Sequence, residues 1–161
     1  MQNILIFVRM SSINDSGTYH FIGSPNILHS FFSNIAYHLE DKAWGSRFPK
    51  IMGELYNGKL EVDSLDEALQ EVKQIEQELA QIPADKVIWD FDDLRKPFPK
   101  DKKFNPEADN LADFLLREDP LHARRIIDIF SESINSALFV TQKYPNIKYP
   151  IEIVLDDRDI Y

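Results

Sequence analysis

The sequence predicts an α+β fold, a small and mostly antiparallel sheet of about four strands packed by three longer helices. Three observations carry this. Short apolar runs rich in β-branched and aromatic residues lie near both ends of the chain, at residues 4–8, 18–22 and 151–155. Between them, three long stretches repeat their apolar residues every three or four positions, the spacing of a helix with one buried face. No internal repeat, low-complexity tract or linker divides the 161 residues, so they read as one domain, 1–161, with room for a sizeable core.

Residues 4–8 are a continuous apolar run, the pattern of a strand buried on both faces. Asn14-Asp15-Ser16-Gly17 is turn chemistry, and residues 18–22 return as the second arm of a hairpin. His20 on that arm is expected to face solvent or a hydrogen-bond partner. Pro25-Asn26 opens the first helix, with Leu28, Phe31, Phe32, Ile35 and Leu39 as its stripe. His29 and His38, nine positions apart, turn to opposite sides at about 100° per residue and cannot share a metal ion on one straight helix. No histidine chemistry is expected.

The stretch Trp44-Gly45-Ser46-Arg47-Phe48-Pro49 gathers large aromatics around a scarce glycine. Pro49 suits the first turn of a short helix whose apolar face is Phe48, Ile51, Met52, Leu55 and Tyr56, and Asn57-Gly58 supplies its left-handed stop. Two readings fit this stretch. It is a corner pinning three neighbouring elements, or Trp44 and Arg47 are exposed anchors for a partner, since Trp and Arg dominate interface hot spots.

Asp63-Ser64 precedes the second long helix, with Glu67 placed to close a capping box on Ser64. Leu65, Leu69, Val72, Ile75, Leu79 and Ile82 form its stripe, and Pro83 ends it. Val87-Ile88-Trp89-Asp90-Phe91 reads as a short strand. Residues 92–106 read as a long, mobile surface loop, and 110–116 as a short helix or turn. Asp119-Pro120 is a strong N-cap pair for the last helix, whose inner face is Ala123, Ile126, Ile127, Phe130, Ile134, Leu138 and Thr141. Pro145 stops that helix before the final strand at 151–155.

Composition limits the chemistry. With 43% hydrophobic and 28% charged residues the chain belongs with folded proteins rather than disordered ones. Its 27 acidic and 18 basic side chains leave a formal charge of −9, which argues against direct nucleic-acid binding. The absence of cysteine excludes disulfides, thiolate nucleophiles and Cys-ligated zinc. The apolar start is too short for a signal peptide, and nothing approaches the ~20 apolar residues of a membrane span. A cytoplasmic location is expected.

Asp90, Asp92 and Asp93 form the one tempting constellation. In extended chain Asp90 and Asp92 project to the same side, and their carboxylates could hold Mg²⁺. With Asp156, Asp157 and Asp159 they would make a hydrolytic metal site, so a metal-dependent hydrolase is the alternative function. Against it, aspartates also gather at strand ends because they cap turns, and no phosphate loop, zinc motif or serine elbow accompanies these. No catalytic residue, metal or cofactor is therefore expected. The basic cluster Arg95, Lys96, Lys100, Lys102 and Lys103 is hemmed in by Asp92, Asp93, Asp101, Glu107 and Asp109, which cancel most of its field.

Several spaced motifs, taken in order, resemble the immunity protein 70 family of bacterial polymorphic toxin systems. They are Leu28-His29-Ser30-Phe31-Phe32, Tyr37-His38-Leu39-Glu40, Trp44-Gly45-Ser46-Arg47-Phe48-Pro49, Glu54-Leu55-Tyr56-Asn57-Gly58-Lys59-Leu60 and Trp89-Asp90-Phe91-Asp92-Asp93-Leu94. The resemblance spans about residues 28–94, with looser agreement at Asn110-Leu111 and along the last helix. After Leu94 the family pattern of a second Pro followed by Trp-Gly is replaced by Lys96-Pro97-Phe98-Pro99-Lys100. The resemblance implies a binding protein rather than an enzyme. Such a protein is made beside a toxin, docks on the toxin's catalytic domain and blocks it. Many such toxins attack nucleic acids and carry basic surfaces, which an acidic protein meets by charge complementarity. Trp44 and Arg47 as anchors, with Asp90, Asp92 and Asp93 as an acidic patch, are the candidate contacts.

Overall fold

The computed structural model describes residues 3–9, 17–99, 104–118, 123–146 and 148–156. In chain order it contains β1 (Asn3–Arg9), β2 (Gly17–Gly23), α1 (Pro25–Leu39), β3 (Lys59–Leu60), α2 (Leu65–Leu79), α3 (Leu111–Phe114), α4 (Ile126–Lys143) and β4 (Ile151–Asp156). The strands form one antiparallel sheet in the order β2-β1-β4-β3. The fold is α+β, with α1, α2 and α4 as its three longer helices.

β1 sits in the middle of the sheet and is apolar on both sides. Ile4, Ile6 and Val8 belong to the main core shared with the helices. Leu5 and Phe7 lie on the opposite face, buried beside Phe21 and Tyr19 of β2, and the Phe7 and Tyr19 rings stack at 4.6 Å. This two-sided burial is why the run at 4–8 shows no alternation. Gly17 starts β2 where a Cβ would come within 2.3 Å of the Val8 carbonyl oxygen, so no larger residue fits there. The turn residues 14–16 lie outside the described residues.

The helices bury most of the stripes that their spacing predicts, but Ala123, expected on the inner face of the last helix, lies before α4 and is exposed. Phe31 and Phe32 of α1 meet Phe130 of α4 at 5.2 and 5.7 Å, and α2 packs along α4 through Leu65, Ala68, Val72, Ile75 and Leu79. Each of these fully buried phenylalanines contributes about 1.5–3 kcal/mol. α4 begins at Ile126, and Asp119-Pro120 lies outside the described residues. Just before it, Arg125 joins Asp128 at 2.7 Å, Asp113 at 3.0 Å, and Glu76 of α2. Asn110 caps α3 by accepting the Asp113 N–H at 3.0 Å.

Four further sequence expectations fail here. Residues 87–91 are not a strand; the fourth strand is the two-residue β3. The backbone of 87–91 is instead taken up by α1 side chains: Asn34 Oδ1 accepts the Ile88 N–H at 2.9 Å, and Asn34 Nδ2 and Ser30 Oγ donate to the Ile88 carbonyl at 2.9 and 3.1 Å. The Ser64–Glu67 capping box does not form. Ser64 closes a 3₁₀ turn (Val62–Ser64), and its hydroxyl donates to Glu54 at 2.9 Å. His20 is 8% exposed and its Nε2 has no hydrogen-bond partner among the described residues, because Ile6 and His20 pair and share the helix-facing side of the sheet. Finally, the described part of the loop at 92–106 is pinned by aromatics, with Phe98 at 5.3 Å from Trp89 and 4.4 Å from Phe104.

Candidate functional site

The corner after α1 is wound around one carboxylate. Asp41 and Lys42 take φ of +51° and +63°, reversing the chain and turning Glu40 inward until it is 1% exposed. Its oxygens accept the backbone N–H groups of Gly45, Arg47 and Phe48 at 2.9, 3.0 and 3.1 Å. Gly45, at φ +81°, is where the backbone passes through the left-handed region. A second glutamate continues the scheme. Glu71 of α2 accepts the Lys50 and Ile51 N–H groups at 3.2 and 2.9 Å, supplying the partners that the first residues of a helical segment need. That segment, Pro49–Leu55, is a π-helical turn closed by the Tyr56 N–H on the Ile51 carbonyl at 3.1 Å, and Gly58 (φ +108°) rather than Asn57 takes the left-handed conformation after it.

This frame holds Trp44 half-buried. Its indole N–H donates to the Met52 carbonyl at 3.0 Å, and its ring meets Tyr56 edge-on at 4.9 Å, Phe91 at 5.6 Å and His29 at 5.9 Å. Trp44 therefore joins the corner, α1 and the 87–91 segment, as the corner reading expects. Arg47 points elsewhere. Its guanidinium donates to the Leu39 carbonyl at 2.8 Å and makes paired bonds to Glu78 of α2 at 2.7 Å each. That pairing raises the Arg47 pKa and holds the Glu78 carboxyl below its usual value.

The clipping of residues 87–91 onto α1 brings Asp90 beside His29, 61 positions away in sequence. His29 Nε2 lies 3.1 Å from Asp90 Oδ1 and 3.4 Å from Asp92 Oδ2, while Nδ1 lies 2.9 Å from the Tyr56 hydroxyl. Carboxylates only accept, so the Nε2 of a neutral ring carries its proton and Nδ1 accepts from Tyr56. Asp90 is further held by the Asp92 N–H at 2.9 Å and the Lys96 ammonium at 3.2 Å. Burial opposes ionisation of Asp90, but those bonds and the His29 ring together keep its carboxyl below the usual carboxylate range. Burial and the nearby Asp92 and Asp90 charges push the Tyr56 phenol upward, so it stays a hydroxyl. Asp93 is turned toward Arg95 at 3.3 Å.

Of the sequence candidates, the structure gathers Trp44, Asp90 and Asp92 around His29 and leaves Arg47 and Asp93 in separate ion pairs. Among the described residues, His29, Asp90 and Asp92 are the group whose ligand atoms converge, all within 4.8 Å of one another. Sequence reasoning passed over His29 and Lys96, and it gave Tyr56 only a packing role. A signal was present: Ser30, Ser33 and Asn34 put polar groups at buried positions of an otherwise apolar helix, which marks a face that holds something polar. His38 goes to a different partner, donating to the Lys86 carbonyl at 2.8 Å.

A family sequence model described as immunity protein 70 matches residues 13–144 of this chain. The chain belongs to the immunity protein 70 family. The matched stretch takes in the Glu40-centred corner and the whole His29–Asp90–Asp92 cluster, and it ends after α4. No curated protein and no solved structure matches this immunity protein 70 chain. No helix among the described residues is long and apolar enough to cross a membrane.

Proposed function

We propose that this protein binds a cognate polymorphic toxin domain and neutralises it by forming a stoichiometric complex in the cytoplasm, without turnover. The observation that carries the reading is the family match over residues 13–144. The charge of −9 supports a basic partner surface, whose encounter an acidic protein accelerates and orients. Trp44, Asp90, Asp92 and Asp93 are the proposed docking face, and Arg47, paired with Glu78 of α2, is a further proposed contact. Asp92 is its most available carboxylate, 76% exposed, and it stands on a backbone fixed from beneath by α1. Rigid placement limits the ordering cost of association.

Co-expression tests this. A toxin domain encoded beside this gene arrests growth when expressed alone, and co-expression of this protein restores growth. Arrest that persists while both proteins are soluble contradicts the reading. A second reading, the metal-dependent hydrolase, draws support from the approach of His29 to Asp90 and Asp92. It predicts Mn²⁺-dependent cleavage of a model phosphodiester, whereas a binding protein leaves that substrate intact.

A further inference from the structure

We infer that His29, Asp90 and Asp92 form a binding site for one divalent d-block cation, with zinc as the best match. The three donor atoms come from two segments that Asn34, Ser30 and Ser33 lock together, so the cluster is built by the fold rather than by one flexible loop. Ligands about 2.0–2.2 Å from a tetrahedral zinc ion sit about 3.3–3.6 Å from one another. His29 Nε2 already lies 3.1 Å from the Asp90 oxygen and 3.4 Å from the Asp92 oxygen, and all three donor atoms lie within 4.8 Å of one another, so a cation enters as the donors adjust to that spacing.

The surroundings are those of a metal site. The Nε2 proton has two carboxylates to serve and can bond well to only one. A cation in its place would bind all three groups. The ring proton would then sit on Nδ1, where the Tyr56 hydroxyl, 2.9 Å away, can accept as readily as it donates. A ligating histidine held through its second nitrogen is the usual outer-shell arrangement. Lys96 and the Asp92 N–H hold the Asp90 carboxylate in the same way. One imidazole with two carboxylates favours zinc or manganese over magnesium, which prefers oxygen ligands and retained water. Asp92 is 76% exposed and His29 25%, so the remaining coordination position opens outward, to water or to a donor atom of a partner.

Calorimetry with Zn²⁺, Mn²⁺ and Mg²⁺, together with Mn²⁺-induced broadening in NMR spectra, tests the inference. The expected result is one Zn²⁺ bound per chain, weaker Mn²⁺ binding, and broadening centred on the His29 ring and the Trp44 indole N–H. His29→Gln and Asp92→Asn each weaken binding by at least about tenfold, and Tyr56→Phe, which keeps the packing, does so by about tenfold. His38→Gln leaves it unchanged. Asp92 is on the surface, so its variant folds and its result stands if the His29 variant does not. No binding of Zn²⁺ or Mn²⁺ at millimolar concentration overturns the inference. Full affinity in Asp92→Asn, or broadening centred elsewhere, overturns it as well.

Discussion

Glu40 and Arg47 are joined through a backbone hydrogen bond, and the Glu40 charge adds to what raises the Arg47 pKa. The Glu40 carboxylate accepts the Arg47 N–H at 3.0 Å, while the Arg47 guanidinium runs to Glu78 on α2. One residue thus fixes where the corner chain goes, and the other ties that corner to a helix. The position of Trp44 follows from the first of these bonds more than from the second.

Glu40→Ala leaves the N–H groups of Gly45, Arg47 and Phe48 without their acceptor. Stranding a buried donor such as the Phe48 N–H costs about 1–3 kcal/mol. The half-buried Gly45 and Arg47 N–H groups recover part of theirs from water, so a total loss of about 3–5 kcal/mol is expected. Urea unfolding measures it. A loss below about 1 kcal/mol contradicts the organising role of this carboxylate.

The Arg47–Glu78 pair, by contrast, is half open to solvent, with 43% of the Arg47 side chain exposed. Glu78→Gln therefore costs no more than about 1 kcal/mol at neutral pH. The Glu78 carboxyl is lowered by the Arg47 bond, so its contribution is present above the unfolded pKa and lost as pH falls through the folded one. The difference between wild type and Glu78→Gln accordingly vanishes in acid, which parallel urea titrations will show.

Asn34→Ala removes the side chain that pairs both the N–H and the carbonyl of Ile88. The segment at 87–91 loosens while the sheet and helices persist. A stability loss of about 2 kcal/mol is expected, with a much faster hydrogen exchange of the Ile88 amide. An unchanged Ile88 exchange rate contradicts the account of why this segment is not a strand.

Burial lowers the His20 pKa, with Arg124 and Arg117 adding to the effect and Glu132 opposing it; burial lowers His38 too, against its bond to Lys86. A histidine depressed in the folded state binds its proton more readily when unfolded, so stability falls as pH drops below about 6.5. His20→Phe flattens the change in Tm between about pH 7.5 and 5.5, and a profile as steep as wild type contradicts this assignment.

The parts of the fold legible in the sequence are those with a local period. Leu28, Phe31, Phe32, Ile35 and Leu39 announce α1, and the unbroken run at 4–8 announces a strand covered on both faces. β3 was invisible because two residues carry no period. Val87-Ile88-Trp89 has strand composition, but its hydrogen bonds go to Asn34 and Ser30, 54 and 58 positions away, and composition does not record that competition. The site failed in the same way. Asp90 and Asp92 stood out as carboxylates, whereas His29 joins them only after the fold closes.

The most direct test of the central claim is the affinity of this protein for the toxin domain encoded beside its gene, measured for wild type and for the double variant Asp92→Ala/Asp93→Ala. The Asp92 side chain is exposed and that of Asp93 partly so, neither belongs to the hydrophobic core, and their loss leaves that core intact. A tight one-to-one complex is expected, weakened at least about tenfold in the variant, with most of the loss in the association rate. No complex with wild type contradicts the proposed function, and an unchanged affinity in the variant contradicts the proposed face.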